Sequence, residues 1–134
     1  MKRDWDLIRK QLTAIEEEKS PIADLPDKPV QDDLPWDIYD EKLKEHKTIE
    51  NRIFGHLELL IDAGYIDGLD VRRSSDGHFA YGECAPRLTM AGHDLLSTMR
   101  SDNLWQKIKE TAKAKGVELT FAAIKTFAEI LLKG

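Results

Sequence analysis

Four prolines in seventeen residues constrain this chain more than any other feature. Residues 20–36 read SPIADLPDKPVQDDLPW, with Pro21, Pro26, Pro29 and Pro35 too closely spaced for a helix to pass through. A proline has no amide donor and clashes with the preceding helical turn, and it deletes a ladder bond from a central strand. The segment is therefore an extended connection, of a length that is commonly functional or mobile. Its Ile22, Leu25, Val30 and Leu34 favour a surface strap pinned by apolar side chains. The residues before it make one local element, and regular structure starts afresh near Trp36.

Upstream, Asp4 is placed to cap a helix running to about Lys19, with Trp5, Ile8, Leu12 and Ile15 on one apolar stripe. Glu16, Glu17 and Glu18 lie at its C-terminal end, where the helix dipole disfavours negative charge, so that end frays. Downstream, Asp37 caps a short helix over 38–46. Thr48 caps a second over 49–63, with Ile49, Ile53, Leu57, Leu60 and Ile61 inward and Gly64 as the stop. YIDGLDVRR and HFAYGECAPRL read as strands around SSDG, 74–77, so that 69–73 pairs antiparallel with 79–87. Pro86 sets the second strand at an edge or a bend. Thr89, then Ser101 or Asp102, then Thr120 cap three further helices, the middle one ended by Gly116.

The order helix, connection, helix, helix, hairpin, helices predicts a mainly α chain with a small β-hairpin wing: a winged helix-turn-helix with an N-terminal helix and a C-terminal helical tail. The 134 residues are expected to form a single domain, 1–134, with the winged-helix core at about 37–100, the tail at 102–134 and the Pro-rich connection at 20–36. A plain helical bundle with a stray hairpin and an α+β domain of another topology are the competing plans. Charged residues make up 34% and hydrophobic ones 41%, which suits a soluble globular protein. No apolar run approaches a membrane span, and MKRDWDLIRK lacks the apolar core of a secretory signal. Cys84 is the single cysteine, so an internal disulfide is excluded and a cytoplasmic location is expected. The net charge of −5 has the wrong sign for a protein that coats phosphates over its whole surface, although a local basic face stays open.

In a DNA-binding winged helix the N-terminal half of the second helix enters the major groove. Here that face would show Thr48, Glu50, Asn51, Arg52 and Gly55. Arg52 suits a guanine edge and Asn51 an adenine, Lys44 and Lys47 would hold phosphates, and Arg72, Arg73 and His78 would touch the backbone or minor groove from the wing tip. Against this face stands charge balance: residues 42–87 hold seven Lys or Arg and eight Asp or Glu. His56 and His93 read as packed histidines, and Cys84 as a small buried apolar side chain. The histidines and cysteine lack zinc-site spacing, and no catalytic or phosphate-cradling motif is present, so no metal, no cofactor and no enzyme activity are expected. The tail helix is apolar over most of its girth. Phe121, Ile124, Ala128 and Leu131 make one stripe, widened by Phe127, Ile130 and Leu132, so it is buried in this domain or in a homodimer through terminal helices.

Two blocks, MKRDWDLIRKQLTAIEE at the start and RLTMAGHDLLSTMRSDNLWQKIKE over 87–110, resemble the ends of an uncharacterised bacterial and prophage family, domain of unknown function 2513. Between them GHLELLIDAGYIDG fits the same family's central segment, and it is also similar, more weakly, to the end of the recognition helix in arsenic-repressor-type regulators. The resemblance implies a winged-helix-like fold and no assigned activity. The resemblance is not carried by the Pro-rich segment, and Met90 stands where an aromatic is expected. Two functions arise as expectations: a regulator binding double-stranded DNA, and an adaptor binding a host or phage protein on the same scaffold.

Overall fold

The computed structural model of the chain describes residues 2–133. Five helices and one hairpin follow in the order α1 (Trp5–Glu16), α2 (Trp36–Asp62), β1 (Ile66–Arg73), β2 (Phe79–Leu88), α3 (Met90–Arg100), α4 (Asp102–Lys115) and α5 (Phe121–Lys133). The protein is thus mainly α with a two-stranded antiparallel hairpin, a winged-helix-like arrangement. Its contacts divide it into two compact units, Met1–Thr89 and Met90–Gly134.

In the first unit α1 starts where its sequence says it should. The Asp4 carboxylate accepts from the amides of Asp6 and Leu7, both at 3.1 Å, filling two donors that the first turn leaves open. The helix stops at Glu16, and Glu18 takes a positive φ of 60° at the end of the run of three glutamates. The strap then turns at 21–24 and continues without regular structure to Pro35. Pro21 is buried and Ile22, Leu25 and Leu34 are half-buried, as a pinned strap requires, but Val30 is exposed.

One expectation fails at α2. The two helices placed at 38–46 and 49–63 are a single 27-residue helix, with no turn between them. Thr48 is not a cap: its hydroxyl donates to the Lys44 carbonyl at 2.9 Å, inside the helix. Threonine can spend its hydroxyl this way mid-helix, and residues 36–54 contain no glycine or proline to interrupt the ladder. The inward phase is also rotated. Glu50, Ile53, Phe54, Gly55, His56, Leu57 and Leu60 are buried, whereas Ile49 is exposed. The helix ends as expected, with Gly64 at φ 79° and the Tyr65 amide returning to the Leu60 carbonyl at 2.9 Å.

The wing pairs as predicted and extends further, from Arg73 opposite Phe79 to Ile66 opposite Leu88. Within the turn the Gly77 amide donates to the Ser74 carbonyl, and Gly77 supplies φ 84°. A bulge interrupts the register between Asp67 and Leu69. There Gly68 has φ 83°, and a β-carbon on it would lie 2.6 Å from the Cys84 carbonyl oxygen and 2.7 Å from that of Ala85. Only glycine tolerates both conditions. The core joins Ile8, Leu12 and Ile15 of α1 to Ile53, Phe54, Leu57 and Leu60 of α2 and to Ile66, Leu69 and Leu88 of the sheet, all buried. Each such side chain contributes roughly 1.5–3 kcal/mol. Phe54 stacks on Phe79 at 5.1 Å, fixing the wing against α2.

In the second unit Ser101 caps α4, Gly116 ends it at φ 68°, and Thr120 caps α5 through the Ala123 amide at 3.0 Å. α4 packs against both α3 and α5. Ile124, Phe127 and Ala128 of α5 are buried, and the Lys115 ammonium lies over the Phe127 ring. Ile130 and Leu132 point outward instead, so the buried stripe is narrower than composition implied. Among the described residues no helix is long and apolar enough to cross a membrane.

Candidate interaction surface

The residues expected to face DNA lie on α2 and the wing, and the structure places them in two classes. Glu50 and Gly55 leave the face altogether, because both are buried. The Glu50 carboxylate accepts from the Phe79 amide at 3.3 Å and lies 3.4 Å from Nδ1 of His46, whose Nε2 is 3.0 Å from the Pro26 carbonyl. Strap, helix and wing therefore meet at one polar chain. Periodicity alone missed it, since a glutamate in the inward phase looks like an error of phase.

Lys44, Lys47, Thr48, Asn51, Arg52, Arg72, Arg73 and His78 are all exposed. Lys47 reaches the wing tip, its ammonium 2.7 Å from where a β-carbon on Gly77 would sit. The three arginines are held by carboxylates. Arg52 pairs with Asp4, Arg72 donates to Asp70 at 3.2 Å, and Arg73 grips Glu58 through Nε at 3.0 Å and Nη2 at 2.9 Å. The fork on Glu58 raises the Arg73 pKa further, and the guanidinium also lies over the Phe79 ring. At the turn, hydrogen bonds from Ser74 and from the His78 amide hold the Asp76 carboxyl below its usual range.

Arg52 has a second meaning once Asp4 is considered. That residue caps α1, pairs with Arg52, and donates its amide to Nε2 of His56 at 2.7 Å. Arg52 and His56 stand one turn apart on α2 and together grip the start of α1. His56 is fully buried, and its Nδ1 contacts the Arg52 carbonyl at 2.7 Å. Because Nε2 accepts, Nδ1 must be the donor, and the ring is neutral. Burial is the largest cause lowering its pKa from 6.5. The packed-histidine expectation thus fits His56, but His93 is exposed, as is Cys84, which lies beside the bulge rather than in the core. Among the described residues no three His, Cys, Asp or Glu side chains converge as metal ligands.

A groove of about 480 Å³ lies between α1 and the start of the strap, floored by Leu7, Ala14 and Ile53. Its rim cations are engaged, Lys10 with Asp24 and Lys19 with Glu17. The large apolar side chains exposed in this unit are Val30 on the strap, Trp36 and Ile38 on the first turn of α2, and Ile49 farther along that helix. Sequence reading passed over Trp36, although an aromatic directly after a proline, with two aspartates just upstream, is a local signal that was available.

Comparison with known proteins agrees with the resemblance seen in the sequence. The chain is 30% identical to an uncharacterised protein of Haemophilus influenzae, over 98% of this chain and 96% of that protein. No solved structure matches it. A family model described as hypothetical protein, DUF2513, matches residues 2–118. The chain therefore belongs to the DUF2513 family.

Proposed function

We propose that this protein is a non-enzymatic, protein-binding adaptor built on a winged-helix-like scaffold. The observation that carries the reading is electrostatic. Every arginine on the face expected to meet DNA is engaged by a carboxylate, in a unit whose residues 1–89 hold thirteen Lys and Arg against twenty Asp and Glu, a net −7. DNA affinity comes chiefly from cations that displace counterions from phosphates. A cation already neutralised by its neighbour displaces few, and a unit of net −7 repels the duplex as it approaches. The continuous α2 adds to this, because its residues 48–52 lie mid-helix and offer no free helix N-terminus to a groove.

Regulatory DNA binding is the second reading. One observation favours it: Lys47 lies against the wing tip, bringing Lys44, Lys47 and Asn51 of α2 onto the same side as the hairpin turn that carries His78. Selection from fragmented genomic DNA, run beside protein capture from lysate, separates the two. The adaptor reading expects no enriched sequence and no salt-dependent duplex binding. It is overturned by a common recovered sequence whose affinity drops steeply with salt and falls by about 1–3 kcal/mol in Arg52→Ala, with Arg73→Ala weakening all sequences alike.

A further inference from the structure

The charge of the chain is concentrated in one stretch. Residues 24–45 hold eight Asp or Glu and three Lys or Arg, a net −5 equal to that of the whole protein. Inside that stretch sits an exposed tryptophan. Trp36 opens α2 with 68% of its surface accessible. Asp32, Asp33, Asp37 and Asp40 all lie within four residues of Trp36, and among the described residues none of the four has an ion pair. The arginines farther along the same unit are engaged; these aspartates are not.

The indole is also pre-organised. Pro35, at φ −56°, sets the entry to the helix, and its carbonyl accepts from the Tyr39 amide at 3.0 Å. The Tyr39 ring meets the indole edge-on at 5.8 Å. A tryptophan whose ring is already packed edge-on against a neighbour loses less conformational freedom on binding, and tryptophan is among the residues that dominate interfaces. A duplex is excluded by the surrounding carboxylates. A cation is favoured twice, by those carboxylates and by the indole face, which attracts guanidinium and ammonium groups.

We propose that Trp36, set in the acidic stretch that carries Asp32, Asp33, Asp37 and Asp40, is the docking surface for a basic protein segment that lays an Arg or Lys side chain over the indole. The proposal rests on the protein-binding reading and names its partner's chemistry. Charge complementarity selects the occupant and steers its approach, while the indole supplies the anchor.

The test uses the full chain carrying a photo-cross-linking p-benzoylphenylalanine in place of Trp36, and separately in place of Arg72 on the wing, irradiated in cells. Adducts from position 36 are expected on a partner segment of net positive charge, mapped by mass spectrometry. With that partner purified, Trp36→Ala weakens binding about thirtyfold. Asp37→Asn with Asp40→Asn also weakens it, and that loss shrinks in about 0.5 M salt, where charge is screened. Circular dichroism checks that each variant folds. An adduct on an acidic or neutral segment, or on a second copy of this chain, overturns the proposal. Protein adducts from position 72 but none from 36 overturn it while leaving the adaptor reading intact. DNA adducts, or none from either position, overturn both.

Discussion

Residues 50–62 of α2 bury seven side chains or backbone positions, from Glu50 to Leu60, whereas none of residues 36–49 of the same helix is buried. The first half, in which Tyr39 and Leu43 are half-buried, meets the strap through His46 at Pro26 and the wing tip through Lys47 at Gly77. The second half is wedged between α1 and the wing. A helix of about fourteen residues is marginal in water by itself, since nucleation is costly and each further bond gains little. The first half is helical because it propagates from an anchored second half. Core packing therefore holds one half in place, and leaves the other free to present its side chains.

The largest expected break in that comparison is Leu57→Ala. Leu57 is fully buried, so its truncation costs about 2–5 kcal/mol, while Leu43→Ala, at a half-buried position, costs less than half as much. Chemical denaturation of both variants measures the contrast, and equal losses would mean that the halves are equally anchored. Next comes Gly68→Ala, at the bulge of the sheet that covers the second half. A positive φ of 83° and carbonyls within 3 Å of the new methyl set the cost at about 1–3 kcal/mol, read as a lower melting temperature.

A smaller effect comes from His56. Its folded-state pKa lies below 6.5, so below that pH the unfolded chain binds more protons than the folded one. The stability it contributes is complete above pH 6.5 and is lost as pH falls through the lower, folded value. Protonation would put a second N–H against the Asp4 amide and bury a charge. His56→Gln should flatten that limb of the stability profile. An unchanged slope in the variant would assign the acid sensitivity to carboxylates instead.

The smallest test has a sign rather than a size. Thr48→Ala in the middle of a helix should raise stability by about 0.5 kcal/mol or less, because alanine has the higher helix propensity. If Thr48 were a cap between two helices, the same change would cost about 0.5–2 kcal/mol.

Thr48 also shows where sequence reading ends. Caps at Asp4, Ser101 and Thr120, the Gly64 and Gly116 stops and the Asp76-Gly77 turn were all legible, because each is decided by bonds within a few residues. Thr48 carries the same local signal, but its hydroxyl found a carbonyl four residues back. The inward phase of α2 was hidden for a different reason. Glu50 is buried by partners 4 and 29 residues away, His46 and Phe79, and only the folded chain brings the wing to it. The eight candidate DNA contacts do lie on the surface, yet the carboxylates that engage the arginines come from positions 2, 15 and 48 residues distant. Pairing at that range leaves no mark on periodicity. Outward Ile130 and Leu132 are a related case, since apolar girth says how much could be buried and not how much neighbour is present.

The grip of His56 on the Asp4 amide spans 52 residues. Closing a loop of that size costs on the order of 3–4 kcal/mol of chain entropy before any contact is made. The hairpin and α2 need no such closure and form on the time scale of local structure, microseconds. The grip on the start of α1 is therefore expected to form after these local elements. In native-state hydrogen exchange the amides of the first turn of α1, which depend on that closure, should open more readily than those of β1 and β2.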